Sequence, residues 1–300
     1  MFGSSSRIHK RLFLAGVILL CFFWGFLSFS PPRHAPPPAR GPVFSSGWQP
    51  KSFFDLAYEQ KEPLPEGEDI PQSAVVAHHL LVASHIAEVV ERFRKNPPST
   101  IVLLSPNHFS AGRSAMQISF GAWETPYGRV ATDVSRAKEL LEQVPGLAHE
   151  EETFVKEHGI AAITPFLARS LPQTPMVALV LDESADPAAL AQLGEAIANM
   201  PGAVLIASVD MAHYKGEEET AKIDRDVLRR LETNGTCSDR ACTERLDIDS
   251  NASLTVLAAF NAVRGSTTFH LLSHTSSLGL GATADPTQNT SHLQGFYSTP

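Results

Sequence analysis

From residue 72 onward the chain alternates two kinds of hydrophobic spacing. Continuous apolar runs, "AVVAHH" (74–79), "TIVLLSP" (100–106), "PMVALVLD" (175–182) and "GAVLIASVD" (202–210), predict strands buried on both faces. Between them, apolar residues recur at helical spacing and predict helices over 81–95, 134–144, 159–171, 187–200, 217–232 and 253–265. The first of these stops at "NPPS" (96–99), where proline lacks the N–H a helix needs. "AMQISFGAWETPYGRVATD" (115–133) predicts a hairpin region turning at "TPYG". "TTFHLLSH" (267–274) and "HLQGFYS" (292–298) predict closing strands. Strands alternating with amphipathic helices predict an α/β three-layer sandwich with a largely parallel central sheet over 72–300.

The pattern before residue 72 is different. Residues 1–11 contain Arg7, Lys10 and Arg11, and residues 12–30 carry no charge. An uncharged run of this length just reaches the span of a bilayer core, and it predicts a transmembrane anchor, with a cleaved signal segment as the alternative. Basic residues ahead of the run predict a cytoplasmic start and an extracytoplasmic body. Residues 31–71 open on a proline-rich stretch and are expected to act as a spacer between membrane and domain.

Charge removes one class of partner. Six basic residues precede the first acid, Asp55; taking them from a net charge of −8 leaves −14 on the rest of the chain. So acidic a body repels phosphate backbones, and no nucleic-acid partner is expected. There is also no glycine-rich phosphate loop. Cys21 lies in the apolar run, while Cys237 and Cys242 share a polar stretch where they could close a small disulfide or remain thiols.

In parallel α/β sheets, ligands bind beyond the carboxyl ends of the strands. Three predicted strands deliver histidines there: His78 and His79, His108 after Asn107, and His213 after Asp210. If those strands are neighbours, the imidazoles converge on one rim, where neutral imidazole is a common metal ligand. Glu157 and His158 open a predicted helix; Glu157 can cap it, or the pair can act on the same rim in acid–base chemistry.

"VVAHH", "LLSPNHFS", "WETPYGRVATD", "EHGIAAITPFL" and "ASVDMAHY" follow the order of motifs in Memo-like proteins, also named AmmeMemoRadiSam system protein B. The chain resembles that family between Val75 and Tyr214, with His78 where the motif has proline and Ala161 where it has an acid. The resemblance implies a fold like that of class III extradiol dioxygenases and a non-haem metal centre. It implies metal binding by His79, His108 and His213, with Glu157, His158 and Asp210 as catalytic residues and His78 and Asn107 in the pocket. The implied cofactor is a divalent transition metal, with iron expected first and copper or zinc as alternatives. The expected activity is redox or dioxygenase-like. The competing readings are a metal-dependent hydrolase and a non-catalytic module binding a peptide or small molecule in the same cleft.

Overall fold

The computed structural model describes residues 41–47, 49–65 and 69–299. The basic segment 1–11, the apolar segment 12–30 and the start of the proline-rich stretch lie outside the described residues. In chain order the elements are β1 (Val43–Ser45), α1 (Lys51–Gln60), β2 (Ser73–Val76), α2 (Ala83–Arg92), β3 (Thr100–Pro106), β4 (Met116–Ile118), β5 (Ala122–Thr125) and β6 (Gly128–Val130). Next come α3 (Val134–Gln143), β7 (Leu147–His149), α4 (His158–Ala161), α5 (Thr164–Ser170), β8 (Met176–Leu181), α6 (Pro187–Ala198), β9 (Ala203–Ser208) and β10 (His213–Lys215). The chain closes with α7 (Glu217–Glu232), α8 (Arg240–Thr243), α9 (Asn251–Arg264), β11 (Thr268–Ser276) and β12 (Asn289–Ser298).

The fold is mixed α/β. Its main sheet has the order β10-β12-β2-β9-β3-β8-β4-β7, with β11 paired to β12. Its centre, β2-β9-β3-β8, is parallel, whereas β12 runs antiparallel to β2 and β4 antiparallel to β8. The expected parallel sheet is therefore the core of a mixed one. Side chains alternate between the two faces of a strand. Val75, Val102, Leu104, Leu179 and Leu205 join one core with residues of α3, α6, α7 and α9. Val76, Ile101, Leu103, Val180 and Ile206 join a second core with residues of α1, α2 and α5. Burial on both faces explains why the central strands read as unbroken apolar runs.

Two local features differ from the sequence expectation, and a third resolves an alternative it left open. The stretch expected as a spacer contains β1 and α1, and Phe54 of α1 is buried edge-on to Phe166 of α5, their ring centroids 5.2 Å apart. The helix expected over 159–171 is two helices, α4 and α5. Pro165 has no N–H to give Ala161, and the Thr164 hydroxyl donates to the Ala161 carbonyl instead, at 3.0 Å. Cys237 and Cys242 form a disulfide, their Cα atoms 5.4 Å apart.

The membrane-anchored placement expected from the sequence is corrected. Among the described residues no helix is long and apolar enough to cross a membrane. The 16-residue α7 begins with three glutamates and falls short of the roughly 20 apolar residues a crossing requires.

Candidate metal centre

β2, β9 and β3 are adjacent and parallel, so the chain leaves all three at one edge of the sheet. His78 follows Val76, Asp210 follows Ser208 and His108 follows Pro106 by two residues each. Paired register between Val76 and Ser208 sets His78 and Asp210 at the same height. The His78 backbone N–H donates to Asp210 Oδ1 at 3.1 Å.

Each of the two inward imidazoles is oriented by a hydrogen bond at its far nitrogen. The Ser208 hydroxyl donates its proton to the Gly159 carbonyl at 2.8 Å, so its lone pair accepts from His78 Nδ1 at 3.1 Å. That leaves the His78 Nε2 lone pair facing Asp249 Oδ2 at 3.3 Å and Asp210 Oδ2 at 3.5 Å. His108 Nδ1 donates to Glu157 Oε1 at 2.6 Å, and its Nε2 lies 3.7 Å from the same Asp249 oxygen. Glu157 is held in turn by Ser105 Oγ, His108 N and Gly159 N at 3.1, 3.2 and 2.9 Å. Gly159 is required at this point, because a Cβ there would overlap Ser105 Oγ. The half-exposed His158 ring stands 3.9 Å from the His108 ring, centroid to centroid.

Asp249 arrives from the loop before α9, where Ser250 caps the helix by accepting from Ser253 N at 3.0 Å. Asp249 Oδ2 accepts from Asp210 N at 3.0 Å, while Oδ1 is buried without a hydrogen-bond partner. A group of three imidazoles, His78, His108 and His158, and a group of His78, Asp210 and Asp249 each bring their ligand atoms within 4.8 Å of one another. These groups could hold a metal ion. A cavity of about 290 Å³ opens beside them, lined by His78, His79, Leu80, His158, Ala162 and Asp210.

The residues expected from the sequence are thus regrouped. His108 and His78 face each other, their ring centroids 4.8 Å apart. His79 turns the other way, with Nδ1 2.8 Å from Nε2 of His292 on β12. His213 donates from Nδ1 to the Met211 carbonyl at 2.9 Å and belongs to none of the ligand groups among the described residues. Asn107 uses both ends of its amide on Ala111, at 2.9 and 3.0 Å, and holds the loop after β3. Asp210, Glu157 and His158 stand at the same sheet edge as His78 and His108. Asp249, Ser208 and His292 were not legible as site residues. The available hints were a histidine inside the apolar run of β12 and the place of Ser208 within "ASVDMAHY".

Electrostatics separates the groups. Burial depresses His78 to about 4, which keeps it neutral and able to ligate. Burial also opposes charge on His108, but the neighbouring Asp249 and Glu157 carboxylates overcome it and raise the imidazole to about 9, so a metal binding at its Nε2 would displace a proton. Burial raises Asp249 to about 7, against the attraction of the neighbouring His108. For Asp210 the burial penalty is outweighed by His78, His292, His213 and His79, and its carboxyl titrates below the ordinary range. The Glu157 carboxyl is lowered too, its burial outweighed by His108. His158 is lowered by burial and by the neighbouring His108.

A family model described as Memo-like protein matches residues 55–290. The chain is similar to a MEMO1 family protein of Caldivirga maquilingensis, 29% identical over 204 residues that cover 65% of this chain and 71% of that one. It is similar to a MEMO1 family protein of Methanopyrus kandleri, 30% identical over 181 residues that cover 56% and 63% of the two chains. A solved structure of an uncharacterized protein from Escherichia coli K12 overlaps 74% of this chain and 98% of its own. It does so with a TM-score of 0.49 and 14% identity.

Proposed function

Because the chain belongs to the Memo-like family, we propose that this edge of the sheet is a non-haem metal centre with redox or oxygen-using activity on an extradiol-dioxygenase-like scaffold. The observation that carries the reading is convergence: Nε2 of His78 and Nε2 of His108 both face Asp249 Oδ2, at 3.3 and 3.7 Å. Two imidazoles and one carboxylate with open positions suit iron(II) better than zinc or copper. The residues fit a cation on two counts. A buried carboxylate oxygen, Asp249 Oδ1, has no donor, and each imidazole has its far nitrogen tied to a protein oxygen. The ligand set favoured by this geometry is His78, His108 and Asp249, instead of His79, His108 and His213.

Iron held there would supply one-electron chemistry and positions for oxygen or substrate. The chain's own residues do the rest. Ser208 and Glu157 set the tautomers of the two ligands. Leu80 and Ala162 line the cavity with apolar surface that limits water. His158, beside His108 and on the cavity wall, holds or moves a proton at its ring.

Anaerobic loading of the purified chain with iron(II), followed by elemental analysis, tests the reading. Wild type is expected to retain iron, and His108→Gln and Asp249→Asn to lose it. Full iron content in both variants would refute the assignment. Turnover of an oxygen-consuming reaction by the loaded chain separates the redox reading from the hydrolytic and binding-only alternatives.

A further inference from the structure

His78 and His79 are adjacent, yet only His78 belongs to the centre described above. His79 is exposed at the cavity wall, and its Nδ1 lies 2.8 Å from Nε2 of His292, an imidazole wholly buried on β12. Two imidazole nitrogens this close share one proton, and a cation replacing it, at about 2.0–2.1 Å from each, would stand to one side of the line that joins them. Asp210 is the third member: a ligand atom from each of His79, His292 and Asp210 lies within 4.8 Å of the other two. The ring of His292 has no other anchor, since its Nδ1 is buried without a hydrogen-bond partner. Burying an imidazole for one neutral hydrogen bond is a poor structural trade. A cation changes that balance.

We infer that His79, His292 and Asp210 form a second divalent-cation site, which shares the Asp210 carboxylate with the neighbouring His78–Asp210–Asp249 group. Two nitrogens and one carboxylate oxygen repeat the donor set of the first position and suit a divalent first-row transition ion, with water completing its shell on the cavity side. His79 and Asp210 line the same cavity as His78 and His158, so an oxygen-bearing ligand there meets both positions. The acidic chain, at net −8, favours cation capture. The site does not require the first one to be filled.

Cobalt(II) titration of the full chain, stripped with chelator and followed by visible absorption and equilibrium dialysis, tests the inference. Wild type is expected to bind two equivalents, and His79→Gln and His292→Gln one each, with the remaining equivalent lost on adding His108→Gln. His79 is exposed, so its variant reads out binding without a packing change. Two equivalents retained by both the His79 and His292 variants would overturn the second site. So would a single wild-type equivalent that His108→Gln abolishes and His79→Gln leaves intact. A single equivalent removed by His79→Gln but not by His108→Gln would uphold the inference and refute the iron centre.

Discussion

Glu157→Gln keeps the side chain's size and removes its charge, at a position only 1% exposed. Glu157 Oε1 accepts from His108 Nδ1, Ser105 Oγ and Gly159 N, and Oε2 accepts from His108 N. A glutamine can put its one oxygen where Oε1 stands, which sets its NH2 against the His108 N–H. One bond is then lost outright and three lose their charge assistance. Hydrogen bonds to charged groups contribute about 1.5–3 kcal/mol each and neutral ones about 1 kcal/mol, so these bonds lose at least about 3 kcal/mol; relief of the buried charge's desolvation returns part of it, and a net loss of about 2 kcal/mol is expected. For a domain of this size that lowers Tm by about 4–8 °C. The second effect falls on the metal: losing the carboxylate that orients a ligating imidazole costs about 10–100-fold in affinity. Thermal unfolding of the metal-free chain reads the first effect, and competition titration with a chromophoric chelator reads the second. A variant with unchanged Tm and metal affinity within about twofold of wild type would refute the claim that Glu157 orients His108.

Phe54→Ala removes a ring buried against Phe166 and should cost about 3–5 kcal/mol in urea unfolding; a loss near zero would mean that α1 does not belong to the folded body. The Cys237–Cys242 bridge spans a sequence separation of 5, and its reduction should cost about 2 kcal/mol, seen as a lower denaturation midpoint with reductant and absent in a double serine variant. His274 Nε2 donates to Asp224 Oδ2 at 2.7 Å, and that hydrogen bond raises the imidazole above 6.5 despite partial burial. The raised group contributes its full stabilisation below about pH 6.5 and loses it as pH rises through the folded-state value. Denaturation midpoints of wild type and His274→Gln should therefore converge above that value, and a difference that grows with pH would refute the pairing.

The fold was legible wherever burial leaves a local period. The strand predicted over 100–106 and the helix predicted over 217–232 coincide with β3 and α7, because each is one uninterrupted pattern that neighbouring elements only reinforce. Where period and backbone chemistry compete, the pattern alone misleads: Pro165 divides a stretch whose apolar spacing reads as one helix. Helix α1 was hidden for another reason, since it lies in a stretch whose opening prolines dominate its character.

By itself, the sequence determined that histidines and Asp210 gather where apolar strands end, since strand boundaries are local properties of the chain. Which imidazole turns inward was decided only by the tertiary structure. His78 and His79 are chemically identical neighbours, told apart by Ser208 and His292, which stand 130 and 213 positions away in sequence. Asp249 likewise has no local mark of function; the packing that starts α9 at Ser250 carries it to the sheet edge. Orientation at a site depends on partners brought together by folding, and no period along the chain records them.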